Sequence, residues 1–213
     1  MEKLSRRDLF RRLATALPVA AGALLVTSKA EAGVSAYYSG NTVDYNRTPN
    51  RFPNCVLTTH EGKQVKFYDD LIRNKIVMIN FFYAQCEKQC PPNTANLRKV
   101  QKKLGDKMGR DIFMYSITLK PEHDNAKVLA DYAEMNNIGP GWLLLTGDPR
   151  DIEMLRKRLG FVDPDPEVDK DTSNHIGLVL YGNERTQRWS ACPALTNPDE
   201  IVKILSWIDG SNG

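Results

Sequence analysis

The chain has 213 residues, 41% hydrophobic and 26% charged, with a formal net charge of +3. That is the make-up of a soluble globular protein with one main domain and a short appendage, and it contains neither an internal repeat nor a low-complexity tract. Lysines and arginines are mixed with acids along the helix faces, which argues against a nucleic-acid partner.

Met1 to Arg12 carries Arg6, Arg7, Arg11 and Arg12, and an apolar stretch runs from Leu13 to Val26 before the small-residue pattern Ala30-Glu31-Ala32. A basic start, an apolar run of about 14 residues and a small-x-small site make a signal peptide, too short for an ordinary bilayer span. The paired arginines of Ser5-Arg6-Arg7-Asp8-Leu9-Phe10 are similar to a twin-arginine signal, so residues 1–32 are read as one. This predicts export to the periplasm, with a membrane contact only if the signal is retained as an anchor. Six basic residues (Lys3, Arg6, Arg7, Arg11, Arg12, Lys29) and three acidic ones (Glu2, Asp8, Glu31) leave with the signal, so the mature charge falls from +3 to zero. Residues 33–51 are polar and without period, a linker to a domain spanning 52–213.

Within that domain, two short extended runs, Asn54 to Thr59 and Gln64 to Tyr68, flank His60-Glu61-Gly62-Lys63 and predict a hairpin. Ile76 to Ala84 is continuously apolar and reads as a central strand covered on both faces. The run Ala84-Gln85-Cys86-Glu87-Lys88-Gln89-Cys90-Pro91-Pro92 follows, and then Leu97, Val100, Leu104 and Met108 recur at helical spacing, with the prolines suiting the first turn. Ile112 to Leu119 is a second buried strand. Val128, Leu129, Tyr132 and Met135 mark a helix ended by Gly139-Pro140-Gly141. Trp142 to Leu145 is a third strand, and Ile152, Leu155 and Leu159 a third helix. Asp163 to Asn174 is a long Asp- and Pro-rich loop. His175 opens the strand Ile176 to Tyr181, which pairs through Gly182-Asn183 with Gln187 to Ala191. Asn197-Pro198-Asp199-Glu200 starts a last helix whose stripe is Ile201, Leu205 and Ile208. This alternation predicts an α/β thioredoxin-like fold: a central mixed sheet flanked by helices, with an N-terminal β-hairpin and a C-terminal hairpin plus helix. Sites in such sheets lie at the carboxyl ends of the strands, where Cys86 and Cys90 fall.

Two thiols four positions apart on a helix-like turn sit roughly 5 to 6 Å apart at Cβ, close enough to hold one soft metal ion or to become a disulfide. The start of a helix favours thiolate, and Lys88 would add to that effect. Two thiolates and an imidazole satisfy copper, whereas structural zinc wants a fourth ligand that is not evident. His175 is a candidate third ligand from its place at a strand start after the long loop, although a histidine in that position is more often solvated or capped. His60 and His123 read as solvated loop residues, and Cys55 and Cys192 as buried small hydrophobes with a mutual disulfide as the rival reading.

The Cys86-x-x-x-Cys90-Pro91 motif after an aromatic-rich strand, Ser116-Ile117 with Pro121-Glu122 and Asp124, Leu145-Thr146-Gly147-Asp148, and His175 before an apolar strand occur in that order. With them, the stretch from about Phe52 to Trp207 resembles the Sco/SenC family, thioredoxin-fold copper proteins that help assemble the binuclear copper A centre of cytochrome c oxidase. The resemblance implies a copper ion bound by Cys86, Cys90 and His175. It departs from the family at Glu87 and Lys88, where proline and often an acid stand, at Asn174 in place of a common aspartate, and at the usually acidic position of Lys120.

Two functions compete on this reading. The first is a metallochaperone, not an enzyme, that delivers copper to subunit II of cytochrome c oxidase or to a similar exported copper enzyme such as nitrous oxide reductase. The second is a periplasmic thiol:disulfide oxidoreductase in which Cys86 and Cys90 form the redox-active pair, served by a thiol reductant and acting on a copper-site partner. A peroxiredoxin-like peroxidase is disfavoured, because Tyr83 stands where that chemistry needs a threonine. A purely structural disulfide is disfavoured because the core is large enough without one.

Overall fold

The computed structural model describes residues 51–86, 90–171 and 177–209. The expected signal and nearly all of the linker lie outside these residues, as do Glu87, Lys88, Asn174 and His175. Among the described residues no helix is long and apolar enough to cross a membrane.

Seven strands form one sheet: β1 (Val56–Thr59), β2 (Gln64–Lys66), β3 (Ile76–Phe82), β4 (Ile112–Thr118), β5 (Trp142–Gly147), β6 (Leu178–Asn183) and β7 (Arg188–Pro193). Their order is β2-β1-β5-β4-β3-β6-β7. β3, β4 and β5 run parallel, while β1 and β6 join this centre antiparallel and carry the two hairpins outward. The helices are α1 (Cys90–Leu104), α2 (Ala126–Met135), α3 (Pro149–Arg158), the single turn α4 (Pro166–Asp169) and α5 (Pro198–Asp209). The mixed sheet flanked by helices is the expected thioredoxin-like arrangement, with both hairpins and the last helix in place. A π-helical turn at Phe67–Ile72, absent from the expected elements, follows β2 and buries Phe67, Leu71 and Ile72 under the sheet.

Strand alternation sends side chains to two cores. Ile76, Met78 and Phe82 of β3 join Ile112 and Met114 of β4 on the face covered by α1, α2 and α5. Val77, Ile79 and Phe81 face the other way, onto Ile152 and Leu155 of α3 and onto the π-helical turn. All seven residues of β3 are buried, which is why its sequence shows no polar alternation. Its one polar residue, Asn80, is satisfied inside the sheet: Ser116 donates to its Oδ1 at 2.7 Å, and Trp142 Nε1 donates to Ser116 Oγ at 2.9 Å.

Capping chemistry fixes the helix starts. Asn125 Oδ1 accepts the Val128 N–H, Asp148 Oδ1 accepts that of Arg150, and Asn197 Oδ1 accepts that of Asp199. Glycine is required at Gly141, where φ is +82° and an added Cβ would lie 2.3 Å from the Gly109 nitrogen.

The two remaining cysteines lie on opposite faces. Cys192 belongs to the core under α1, α2 and α5, whereas half-buried Cys55 packs against the core under α3. The sheet lies between them, so the rival disulfide is ruled out and they are small packing residues. At the entrance to the domain, the buried Arg51 sets its guanidinium over the rings of Phe52 and Trp189, at 5.0 and 4.7 Å from their centroids.

Candidate metal centre

β3 ends at Phe82, and the chain then turns through Tyr83, Ala84 and Gln85 to Cys86, whose N–H donates to the Tyr83 carbonyl at 3.3 Å. α1 begins at Cys90. Pro91 and Pro92 carry no N–H, so the first helical turn has few unsatisfied donors, and that of Cys90 goes to Cys86 Sγ at 3.3 Å. The Cys86 sulfur thus takes the place of a capping oxygen. The two thiols also hydrogen-bond each other, the backbone amide of Tyr83 reaches the Cys90 sulfur, and the Tyr83 phenol reaches the Cys86 side chain.

This pair is deeper than its sequence suggests. Cys86 is 6% exposed and Cys90 1%, and both belong to the apolar cluster around Phe82, Leu97 and Tyr132. Burial pushes the Cys90 thiol up, the Cys86 hydrogen bond adds to this, and the Tyr83 amide only partly opposes it. The expected lowering by the helix start is therefore outweighed at Cys90 by desolvation. The Cys90 thiol therefore holds its proton more tightly than an exposed cysteine would. Burial likewise pushes the Tyr83 phenol up to about 12, with the hydrogen bond to Cys86 adding to the effect.

Two buried groups fix the turn from behind. Asp124 Oδ2 accepts the Ala84 N–H at 3.0 Å and the Thr118 hydroxyl at 2.5 Å. Tyr132 of α2 shares a 2.8 Å hydrogen bond with Thr94 of α1 and packs its ring 5.2 Å from that of Phe82. On the solvent side, Lys120 Nζ lies 4.2 Å from the Tyr83 ring centroid.

As a donor set, two adjacent sulfurs in an apolar wall suit a soft ion of low charge such as Cu(I), so the residues present fit that metal. Among the described residues no group of three His, Cys, Asp or Glu could hold a metal. The third ligand implied by the resemblance, His175, lies outside those residues. The described chain resumes at Gly177, where an added Cβ would lie 3.1 Å from Asn93 Nδ2 in the first turn of α1. The Gly177 carbonyl accepts the Ala194 N–H at 2.7 Å.

The other histidines divide. His123 is exposed, as expected of a loop residue. His60 is not a solvated loop residue: it is half-buried and extends the β1–β5 ladder, its N–H donating to the Leu144 carbonyl at 2.8 Å and its Nδ1 accepting the Leu144 N–H at 3.2 Å. Burial holds its imidazole below the usual histidine range. In the sequence Asp124 figures only as part of a motif, and its place behind the turn is not legible there. The one local signal is a short acid in the polar turn six residues after the end of a buried strand.

Comparison with known proteins places this geometry in a family. The SCO1/SenC family model matches residues 45–208. A SCO1 protein homolog of Bacillus subtilis is 29% identical over 143 residues, covering 66% of this chain and 70% of that protein. Among solved structures, ScoI of Bradyrhizobium japonicum with copper bound superposes with a TM-score of 0.58 at 23% identity, covering 72% of this chain and 96% of that one. BsSco, described with a disulfide switch and as a member of the Sco family of cytochrome c oxidase assembly proteins, gives 0.60 at 23% identity, covering 73% and 91%.

Proposed function

The chain belongs to the SCO1/SenC family, and on that premise we propose that it is an exported copper metallochaperone whose Cys86, Cys90 and His175 hold Cu(I). The observation that carries this is the paired sulfurs at the end of β3, with the Cys90 N–H on Cys86 Sγ at 3.3 Å. Gly177, two residues after His175, lies beside Asn93 in the first turn of α1, three residues on from Cys90, and this supports His175 as the third ligand. Copper is cargo here. The cysteines and histidine bind it near the carboxyl ends of the strands and release it by ligand exchange to a partner with matching soft ligands.

The proposed recipient is subunit II of cytochrome c oxidase, or the copper site of a similar exported enzyme, reached in the periplasm after export by the 1–32 signal. The test is the Cu(I) stoichiometry of the reduced protein measured anaerobically beside Cys86→Ser, Cys90→Ser and His175→Ala. Stoichiometric binding that each substitution weakens is expected. Absence of binding, or binding indifferent to His175, overturns the reading. Capture of the recipient by the copper-loaded protein then identifies the acceptor.

The hydrogen bond between the two thiols also favours a second reading, thiol:disulfide exchange with a copper-site partner. A Cys90→Ser variant that traps no mixed disulfide with the partner would remove it.

A further inference from the structure

The turn after β4 holds a cation over the ring of Tyr83, three residues before Cys86. The Lys120 N–H donates to Thr118 Oγ1 at 3.0 Å, and the Lys120 carbonyl accepts the N–H groups of His123 and Asp124 at 3.0 and 2.9 Å. Thr118 is in turn bound to Asp124, which also holds Ala84. One buried carboxylate therefore locks the backbone of Lys120 and the Tyr83–Ala84 turn to each other. From that fixed base the lysine side chain sets Nζ over the Tyr83 ring at 4.2 Å from its centroid. The phenol of the same ring is hydrogen-bonded to Cys86. A lysine cation is thus held one aromatic ring away from the sulfur that accepts the helix N–H.

We infer that Lys120 is a positioning charge that makes the Cys86–Cys90 site favour a univalent cation over a divalent one. The inference rests on the copper reading above and concerns the same site. When Cu(I) binds, two thiol protons leave to solvent and two sulfur–metal bonds form, so two thiolates and one unit of metal charge leave a net −1. The same exchange with Zn(II) leaves zero, and a neutral imidazole changes neither total. A nearby cation stabilises the first product and is nearly indifferent to the second. The acids facing the site, Asp171 toward Tyr83 and Asp124 toward Cys90 and Tyr132, act in the opposite sense. Among the described residues, Lys120 opposes these two acids.

The test is the affinity of the full domain for Cu(I) and for Zn(II), each measured anaerobically by competition with a chromophoric chelator, in wild type, Lys120→Met, Lys120→Gln and Lys120→Arg. Both neutral variants should lose roughly several-fold in Cu(I) affinity, the order expected when one unit charge near the site is removed under solvent screening. Their Zn(II) affinity should change far less, and Lys120→Arg should restore the Cu(I)-to-Zn(II) ratio. A ratio unmoved in the neutral variants, or a parallel loss of both metals, overturns the inference while leaving the copper reading intact. Failure of wild type to bind Cu(I) overturns both.

Discussion

The carboxylate of Asp124 accepts the backbone N–H of Ala84 at 3.0 Å, two residues before Cys86 and across 40 positions of sequence. The same oxygen accepts the Thr118 hydroxyl, so a single buried acid joins the end of β4 to the turn that carries the first sulfur. A thiol pair on a bare turn would move with that turn. Here it is tied to the centre of the sheet.

Replacing Asp124 by alanine leaves the Ala84 N–H and the Thr118 hydroxyl without their acceptor in a site that is 1% exposed. A loss of about 2–4 kcal/mol is expected in urea denaturation, the magnitude for buried groups deprived of a charged partner. Asp124→Asn keeps an oxygen in place and should lose about half as much. Hydrogen exchange at the Ala84 amide should rise in Asp124→Ala; an unchanged exchange rate would remove the acid from any role in holding the turn.

Arg156 grips Asp169 with two hydrogen bonds of 2.6 and 2.7 Å, Glu153 with two of 2.8 and 3.0 Å, and the Phe161 carbonyl at 2.9 Å. This guanidinium ties the acidic loop after α3 to the body of the protein. Arg156→Met should cost about 3 kcal/mol, because it leaves a partly buried carboxylate unpaired, and should speed limited proteolysis between residues 162 and 171. Arg156→Lys keeps the charge without the fork and should fall between the two. The Arg156 hydrogen bonds hold the Asp169 carboxyl below the usual carboxylate range. Its contribution is therefore present above the ordinary aspartate range and lost as pH falls through its depressed value. Asp169→Asn should lessen the acid loss of stability in a pH series.

Alkaline pH should destabilise the fold. Burial raises Tyr132 to about 12 and Cys55 to about 11, and pushes the Tyr115 phenol and the Cys90 thiol up as well. Groups that hold their protons more tightly when folded contribute stability below their unfolded pKa values and lose it as pH rises through the folded ones. Urea midpoints should therefore fall from about pH 9 upward. Tyr115→Phe, which removes one such group, should show a shallower decline; an identical slope would count against the phenol.

Oxidation should join only one pair. Cys86 and Cys90 are in hydrogen-bond contact, whereas Cys55 and Cys192 belong to cores on opposite faces of the sheet. Peptide mapping after mild oxidation should return a Cys86–Cys90 disulfide with Cys55 and Cys192 still reducible thiols. A peptide linking Cys55 to Cys192 in folded protein would contradict the sheet between them.

The order of strands and helices and the place of the thiol pair are legible in the amino-acid sequence, because both are written in local patterns. The apolar run of Ile76 to Phe82, the stripe of Leu97, Val100 and Leu104, and the prolines after Cys90 each report on their own neighbourhood, and their succession implies the thioredoxin-like sheet. Other features emerge only on folding, because they depend on residues far apart in the chain. The depth of Cys90 comes from α1 and α2 packing over β3, and it reverses the thiol shift that a helix start alone would give. The separation of Cys55 from Cys192 follows from which face each strand presents. The hydrogen bonds of Asp124 and the placement of Lys120 over Tyr83 arise where the end of β4 meets the end of β3, an adjacency that a hydrogen-bond ladder creates and that no local pattern records.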